Sequence, residues 1–379
     1  AHQANVWLAI CDTPHFHEKE MDVIRKYNRL IKANPDPFFM TKSMARIALL
    51  WPQEAGNYYS GSSVPLTDFT KEISATKAGN ISEEFYGFYD GLSRGHVPFD
   101  VIDEPAISNA QGKYDLIIFP NAVCLKKEAA DKIREFVMAG GNIISTFETS
   151  LYNEYGKKLG QFQLNDVFGT ESTGDIFGPL RWDYLSLAET DHFSLRGIRQ
   201  KNLYAPVYGL KIKSKAKVPV FFCKPLPGSY AGSPEVSEFP AIIENSFGKG
   251  KSIYIAGTFG GTLYKFHFPE YYTILTNLVS HLSKTIVSVG NTPSSMELNL
   301  RRNENSIFLY LINFTSEMRR PIQKIIPCTD LKVDIYLTKA AKSAKALCLG
   351  RDLQLIRKNN TYSVVLPVIE DFEIIEFRI

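Results

Sequence analysis

With 379 residues, the chain exceeds the roughly 250–300 at which one hydrophobic core stops growing, so more than one domain is expected. Apolar residues make up 44% and charged residues 22%, ordinary globular usage, and no apolar run reaches the roughly 18–20 residues of a membrane span. A formal charge of +3, from 43 basic and 40 acidic residues, is too small and too evenly spread for a nucleic-acid footprint, so neither nucleic acid nor membrane is an expected partner.

Val6–Cys11 (VWLAIC) is a short continuous apolar run that fits a buried parallel strand. Glu18–Ala33 then repeats apolar residues at Met21, Ile24, Tyr27, Leu30 and Ile31, the spacing of a helix, which Asn34-Pro35-Asp36-Pro37 ends. One strand and one helix cannot bury both their faces, so residues 1–43 are expected to belong to something larger.

An α/β rhythm follows over 44–285. Strands are predicted at Ala45–Trp51, Phe99–Asp103, Tyr114–Pro120 and Asn142–Thr146. Helices are predicted at Ser82–Gly95 and Lys126–Ala139, the latter closed by Gly140-Gly141. This alternation implies a parallel, doubly wound sheet. Residues 150–240 are less regular, with hairpin-like runs at Val218–Cys223 and Pro240–Asn245, and read as an insertion decorating that sheet. The strand Ser252–Gly257 and the helix Tyr271–Leu282 restore the rhythm. Over 286–379 the pattern becomes strands between turns: Met296–Leu300, Ser306–Phe314, Leu331–Leu337, Leu353–Leu355, Tyr362–Leu366 and Phe372–Phe377. A small antiparallel β-sandwich is expected there.

The five cysteines (Cys11, Cys124, Cys223, Cys328, Cys348) stand far apart without a C-x-x-C pair and read mostly as buried thiols, not as a disulfide framework or zinc site. No metal and no cofactor are expected, since no G-x-G-x-x-G, Walker, H-E-x-x-H or G-x-S-x-G motif occurs. No leader precedes the first strand, which leaves the compartment open, and the missing initiator Met fits a cut or processed chain.

The string YDLIIFPNAVCLKKEAADKIREFVMAGGNIIST, followed by IFLYLINFT and VVLPVIEDFEIIEF, resembles the trimerisation and carboxyl-terminal domains of family 42 β-galactosidases and related glycoside hydrolases. The trimerisation domain is itself similar to class I glutamine amidotransferases and flavodoxin-like sheets. The resemblance covers about 45–379. It implies that Val6–Cys11 and the following helix are the last strand and helix of a (β/α)₈ barrel, whose catalytic carboxylates sit on earlier strands outside this sequence.

Retaining glycosidases need two carboxylates about 5–5.5 Å apart. Glu83-Glu84 are adjacent on a helix and point in different directions, and Asp100 and Asp103 flank a strand; all four read as solvated surface. The amidotransferase relatives carry a nucleophilic cysteine on the sharp turn after the strand corresponding to Asn142–Thr146, where this chain has Phe147. Cys124 follows a different strand and reads as a small buried residue. Phe266-His267-Phe268-Pro269-Glu270 imitates the His-Pro-Glu signature with an intervening Phe.

Two groups remain as candidate sugar contacts. Asp12 and His15, in the loop after the first strand, would lie on the catalytic face if that strand closes a barrel. Trp182 and Tyr184, with Phe193 and Tyr204, would form an aromatic platform or pack an interface. The expected function is oligomerisation, as a homo-trimer, and active-site support for a carbohydrate hydrolase, with no activity of the chain alone. A free-standing carbohydrate-binding module and a hydrolase using Cys124 stay open as alternatives.

Overall fold

The computed structural model describes residues 18–39, 41–59, 78–180, 183–227, 232–316 and 324–379, with only the backbone of 18–20 and 172–174. Val6–Cys11 lies outside them. The chain divides into two compact units: Arg46–Gly95 with Phe99–Lys284, and the residues up to Ala45 with His96–Pro98 and Thr285–Ile379.

The larger unit is built on a nine-stranded sheet. Its parallel half comprises β1 (Ile47–Leu50), β2 (Phe99–Ile102), β3 (Leu116–Phe119), β4 (Asn142–Thr146) and, much later in the chain, β11 (Gly250–Ile255), in the spatial order β2-β1-β3-β4-β11. Every residue of β1 and β3 is buried, the signature of strands covered on both faces.

Helix α1 (Ile81–Arg94) buries Ile81, Phe85, Phe88 and Leu92 along one face, and the Asn80 side chain caps it by accepting from the Glu83 N–H. Helix α2 (Lys127–Met138) ends in a left-handed Gly140 at φ 112°, with Gly141 N–H donating to Phe136 C=O and Gly140 N–H to Val137 C=O.

The sheet is mixed, which corrects the expectation of a parallel one. The segment read as a decorating insertion supplies four of its strands: β6 (Tyr184–Leu187), β7 (Asn202–Tyr204), β9 (Lys217–Cys223) and β10 (Val236–Phe247). These run antiparallel in the order β11-β10-β9-β6-β7. β5 (Thr170–Phe177) and β8 (Gly209–Ser214) pair separately as a two-stranded ribbon. These strands hid from periodicity because many are short and half-buried, and register shifts interrupt both the β9–β10 pairing and the ribbon.

Helix α3 (Phe259–Phe266) and helix α4 (Pro269–Leu282) complete the unit. α3 was not foreseen, because its Gly260-Gly261 opening is a poor helix former. The glycines serve packing instead: a Cβ on Gly87 of α1 would stand 1.8 Å from the Gly260 carbonyl oxygen, so the two helices cross almost backbone to backbone.

In the smaller unit, a six-stranded antiparallel sheet runs in the order Lys42–Ser43, Met296–Arg302, Ser306–Asn313, Phe372–Arg378, Ser343–Ala346, Arg351–Leu353. A four-stranded sheet runs Val287–Gly290, Cys328–Tyr336, Thr361–Ile369, Ile356–Lys358. Leu300, Leu309 and Leu311 of the first share one core with Leu331, Val333 and Leu366 of the second. The opposite face of the six-stranded sheet buries Phe308, Tyr310 and Ile374 with Phe38 packed on them. Tyr310 donates to the Pro37 carbonyl, Arg301 donates to the Thr41 hydroxyl and carbonyl at 2.9 Å each, and Lys26 and Tyr27 of the helix Glu18–Ala33 donate to Asp371. Residues 18–45 thus pack as part of this unit.

Candidate functional site

In open α/β sheets, ligands bind beyond the carboxyl ends of the parallel strands. Here those ends carry a buried polar network. After β3, Asn121 takes a left-handed φ of 46°; its N–H donates to Thr146 Oγ1 (2.9 Å), its Nδ2 to the Gly79 carbonyl (3.0 Å), and its Oδ1 accepts from the Glu148 N–H (3.1 Å). Thr149 Oγ1 accepts from the Ala122 N–H at 3.1 Å. Asn121, Thr146, Glu148 and Thr149 are fully buried, so the two strand-end turns are tied by side chains that replace water for each other's backbone.

The turn after β4 is as sharp as the resemblance requires. Phe147 stands at φ 48°, uncommon for a bulky residue, with its ring fully buried. The sharp position is filled by Phe147 where the resemblance would put a cysteine. Cys124 is buried too, and burial pushes its thiol up to about 12, so at neutral pH it is neither thiolate nor accessible. His267 caps the end of α3 and hydrogen-bonds through Nδ1 with the Tyr272 hydroxyl (3.1 Å), while Glu270 accepts from Gln200 (2.7 Å). Both serve surface packing. Cys223 is buried, Cys328 half-buried and Cys348 exposed, so Cys348 departs from the expected buried thiols; all four described cysteines are free.

Two buried carboxylates, Glu84 and Glu148, lie at this end of the sheet among the described residues. Glu148 Oε2 accepts from the Tyr59 hydroxyl at 2.6 Å; Oε1 faces the Tyr152 hydroxyl at 3.4 Å and Lys158 Nζ at 3.6 Å. Burial, then the charge of Glu148, holds the Tyr59 phenol far above its ordinary value, and the same causes push Tyr152 up to about 12; both stay donors. Glu84, read above as solvated, is only 1% exposed. Its carboxylate accepts the Gly260 N–H (3.0 Å) and the Gly261 N–H (2.7 Å), capping α3 from a neighbouring helix where Thr258 supplies no side-chain cap. Burial nonetheless raises it to about 7, against these bonds and one from Thr146. Single-sequence reasoning missed it because its partners are backbone groups 176 and 177 positions away. Its neighbour Glu83 pairs with Lys265 at 2.8 Å on the surface.

Of the candidate sugar contacts, Asp12, His15 and Trp182 lie outside the described residues. Tyr184 is half-buried and stacks on Tyr204 (5.5 Å between centroids, 26°), which stacks in turn on Phe268 (5.1 Å, 21°). Phe193 does not join them; it stacks on His281 at 3.7 Å. Beside it lies a group that sequence reasoning did not single out: His192 Nδ1 meets Ser194 Oγ at 2.7 Å and Nε2 meets Glu244 Oε2 at 3.0 Å. This imitates a hydrolytic triad, but Ser194 is fully buried and His192 caps the short turn Phe193–Leu195 by accepting from the Ser194 N–H. Lys251 also holds Glu244, at 2.7 Å. The cluster secures a strand junction. Among the described residues no group of three or more His, Cys, Asp or Glu is arranged to hold a metal, and no helix is long and apolar enough to cross a membrane.

The topology defines the class first: a mixed α/β unit with several sheets, whose strand-end turn carries Phe147. Residues 45–273 match the family described as the β-galactosidase trimerisation domain, and the chain belongs to that family. It is similar to β-galactosidase BgaA of Planococcus sp. (strain 'SOS Orange'), at 24% identity over 254 residues, and to BgaP of Planococcus sp. (strain L4), at 25% over 254 residues; each alignment covers 64% of this chain and 33% of that enzyme. The chain thus spans about a third of the length of these relatives. Among solved structures, α-L-fucosidase isoenzyme 2 from Paenibacillus thiaminolyticus shares the fold with a TM-score of 0.69 at 16% identity, covering 96% of this chain and 53% of that one. The β-galactosidase from Bacillus circulans sp. alkalophilus does so with a TM-score of 0.66 at 19% identity, covering 96% and 46%.

Proposed function

We propose that this chain is an oligomerisation and active-site-supporting region of a β-galactosidase-like glycoside hydrolase, acting on carbohydrate as a homo-trimer and doing no chemistry by itself. The match of residues 45–273 to the trimerisation family carries this reading. Phe147 at the turn where a nucleophile would stand, and Cys124 held as a buried thiol, support it. In this reading 1–43 is the last strand and helix of a barrel, 44–285 a flavodoxin-like trimerisation domain, and 286–379 a small β-sandwich. Asp12 and His15 face the sugar of the complete enzyme, and Trp182 with Tyr184 lies toward a neighbouring subunit.

Light scattering coupled to gel filtration tests it against the 42.7 kDa of one chain. The expected result is the mass of three chains with no hydrolysis of an aryl galactoside. A monomer that cleaves the galactoside unaided overturns the reading.

A further inference from the structure

Four rings of the larger unit form a ladder. Tyr184 of β6 stacks on Tyr204 of β7, the edge strand of the antiparallel half; Tyr204 stacks on Phe268, and Phe268 on Phe266 at the end of α3. Their centroids lie 5.5, 5.1 and 5.5 Å apart, with planes within 26° of parallel. We propose that this ladder is a face by which one copy of the chain packs on the next, an inference that rests on the assembly reading above.

The ladder is held firmly yet left uncovered. Phe268 meets Tyr271 at 5.9 Å; Tyr271 is 1% exposed, stacks on Phe259 in the core, and donates through its hydroxyl to the Tyr204 carbonyl at 2.9 Å. Tyr204 and Phe266 nevertheless stay 47% and 53% exposed. Rings fixed in this way lose little freedom when a partner covers them, so their burial adds directly to affinity. The segments that carry the outer rungs, 204–208 and 266–269, contain no Lys, Arg, Asp or Glu, the composition of an interface centre, while Lys201, Lys265 and Glu270 flank them.

Ring geometry chooses between a sugar and a protein as the partner. Rings side by side in one plane, as a sugar platform needs, keep their centroids about 6.5 Å or more apart, because their facing carbons stop at about 3.5–4 Å. Near-parallel rings 5.1–5.5 Å apart are slipped stacks. Each covers part of its neighbour's face and leaves its edge to the outside, which suits interdigitation with the side chains of a protein surface. All four rings lie within residues 45–273, the stretch that matches the trimerisation family, and this makes a second copy of the chain the partner. A closed ring of three is heterologous, so the ladder meets a different face of the next copy.

Light scattering coupled to gel filtration, on the full chain and on Tyr204→Lys and Phe266→Lys, tests the proposal. Lys suits both a strand edge and a helix end, so both variants are expected to melt with the wild type. The wild type is expected at the mass of three chains and each variant at the mass of one, its dissociation constant raised about a hundredfold. A wild-type monomer overturns the assembly reading and this proposal with it; a trimer that both variants leave intact overturns this proposal alone. Should a variant fail to fold, hydroxyl-radical footprinting of the unaltered trimer decides. Tyr204 is expected to label several-fold more slowly than Tyr336, which is equally exposed at 49%, and equal rates overturn the proposal. Saturation transfer to a galacto-oligosaccharide that Tyr204→Lys abolishes while the trimer persists assigns the ladder to sugar and overturns it as well.

Discussion

Glu84 and Glu148 are both essentially buried, at 1% and 0% exposed, yet their surroundings differ in kind. Glu84 receives two backbone N–H groups at a helix crossing so close that only glycine fits at position 87. Glu148 is held by side chains and borders a cavity. In the smaller unit Glu373 repeats the first pattern, accepting the backbone N–H groups of Cys348, Leu349 and Ile374. A buried carboxylate saturated by backbone donors is architecture, because those donors would otherwise be orphaned. Glu148, bonded by the Tyr59 hydroxyl and faced by the Tyr152 hydroxyl and Lys158, is instead placed by side chains, each of which can be exchanged alone.

The largest expected effect concerns the thiol on the Glu148 side. With Cys124 pushed up to about 12 from an ordinary 9 by burial, and further by the charges of Glu54, Glu148 and Glu104, its thiolate fraction at neutral pH falls about a thousandfold below that of an ordinary cysteine. Timed iodoacetamide labelling read by mass spectrometry should leave Cys124 unmodified in the folded chain while urea-unfolded protein labels fully. Rapid labelling of native Cys124 would reopen the cysteine-hydrolase reading.

On the Glu84 side the expected effect is a pH slope. The folded chain holds a proton on Glu84 up to about pH 7, whereas the unfolded chain loses it near 4.5. Below about 4.5 both states are protonated and the site is neutral to stability. Between 4.5 and 7 the folded state binds the extra proton, so stability falls as pH rises and levels off above 7, by roughly 3 kcal/mol in all. Glu84→Gln removes this slope, although the amide NH2 that replaces one carboxylate oxygen cannot accept the N–H which that oxygen holds, and the variant is less stable at low pH. Urea unfolding of both proteins between pH 4.5 and 7.5 measures the difference; parallel curves would mean that Glu84 does not titrate in that window.

The split between these two regions also marks what was legible in the sequence. The helix Glu18–Ala33 and the strand Asn142–Thr146 fall on the expected residues, and most strands after 285 fall within a few residues, because local apolar period decides them. The turn occupied by Phe147 was readable from its place after a recognisable strand. The antiparallel half of the large sheet was not readable: β6 and β7 are 4 and 3 residues long, too short for any period, and they exist through pairing with distant strands. Glu84 failed for a related reason. Its adjacency to Glu83 suggested a solvated face, while its role depends on Gly260 and Gly261, whose helix the same glycines concealed. The cavity beside Glu148 joins residues from 58 to 176 and has no local signature.

The smallest expected effect tests the Glu148 side where it is weakest. Tyr152→Phe keeps the ring that packs edge-on against Tyr59, at 5.6 Å and 82°, and removes only the hydroxyl facing Glu148 at 3.4 Å. A bond this long lies beyond the usual range for O–H···O contacts, and Glu148 keeps its short bond from Tyr59. The stability cost should therefore be about 0.5 kcal/mol, the bottom of the range for a neutral hydrogen bond, measured as a shift of the urea midpoint with unchanged slope. If the loss instead reaches the 1–3 kcal/mol of a buried group left unpaired, Glu148 depends on Tyr152 as Glu84 depends on its backbone donors, and the contrast between the two carboxylates collapses.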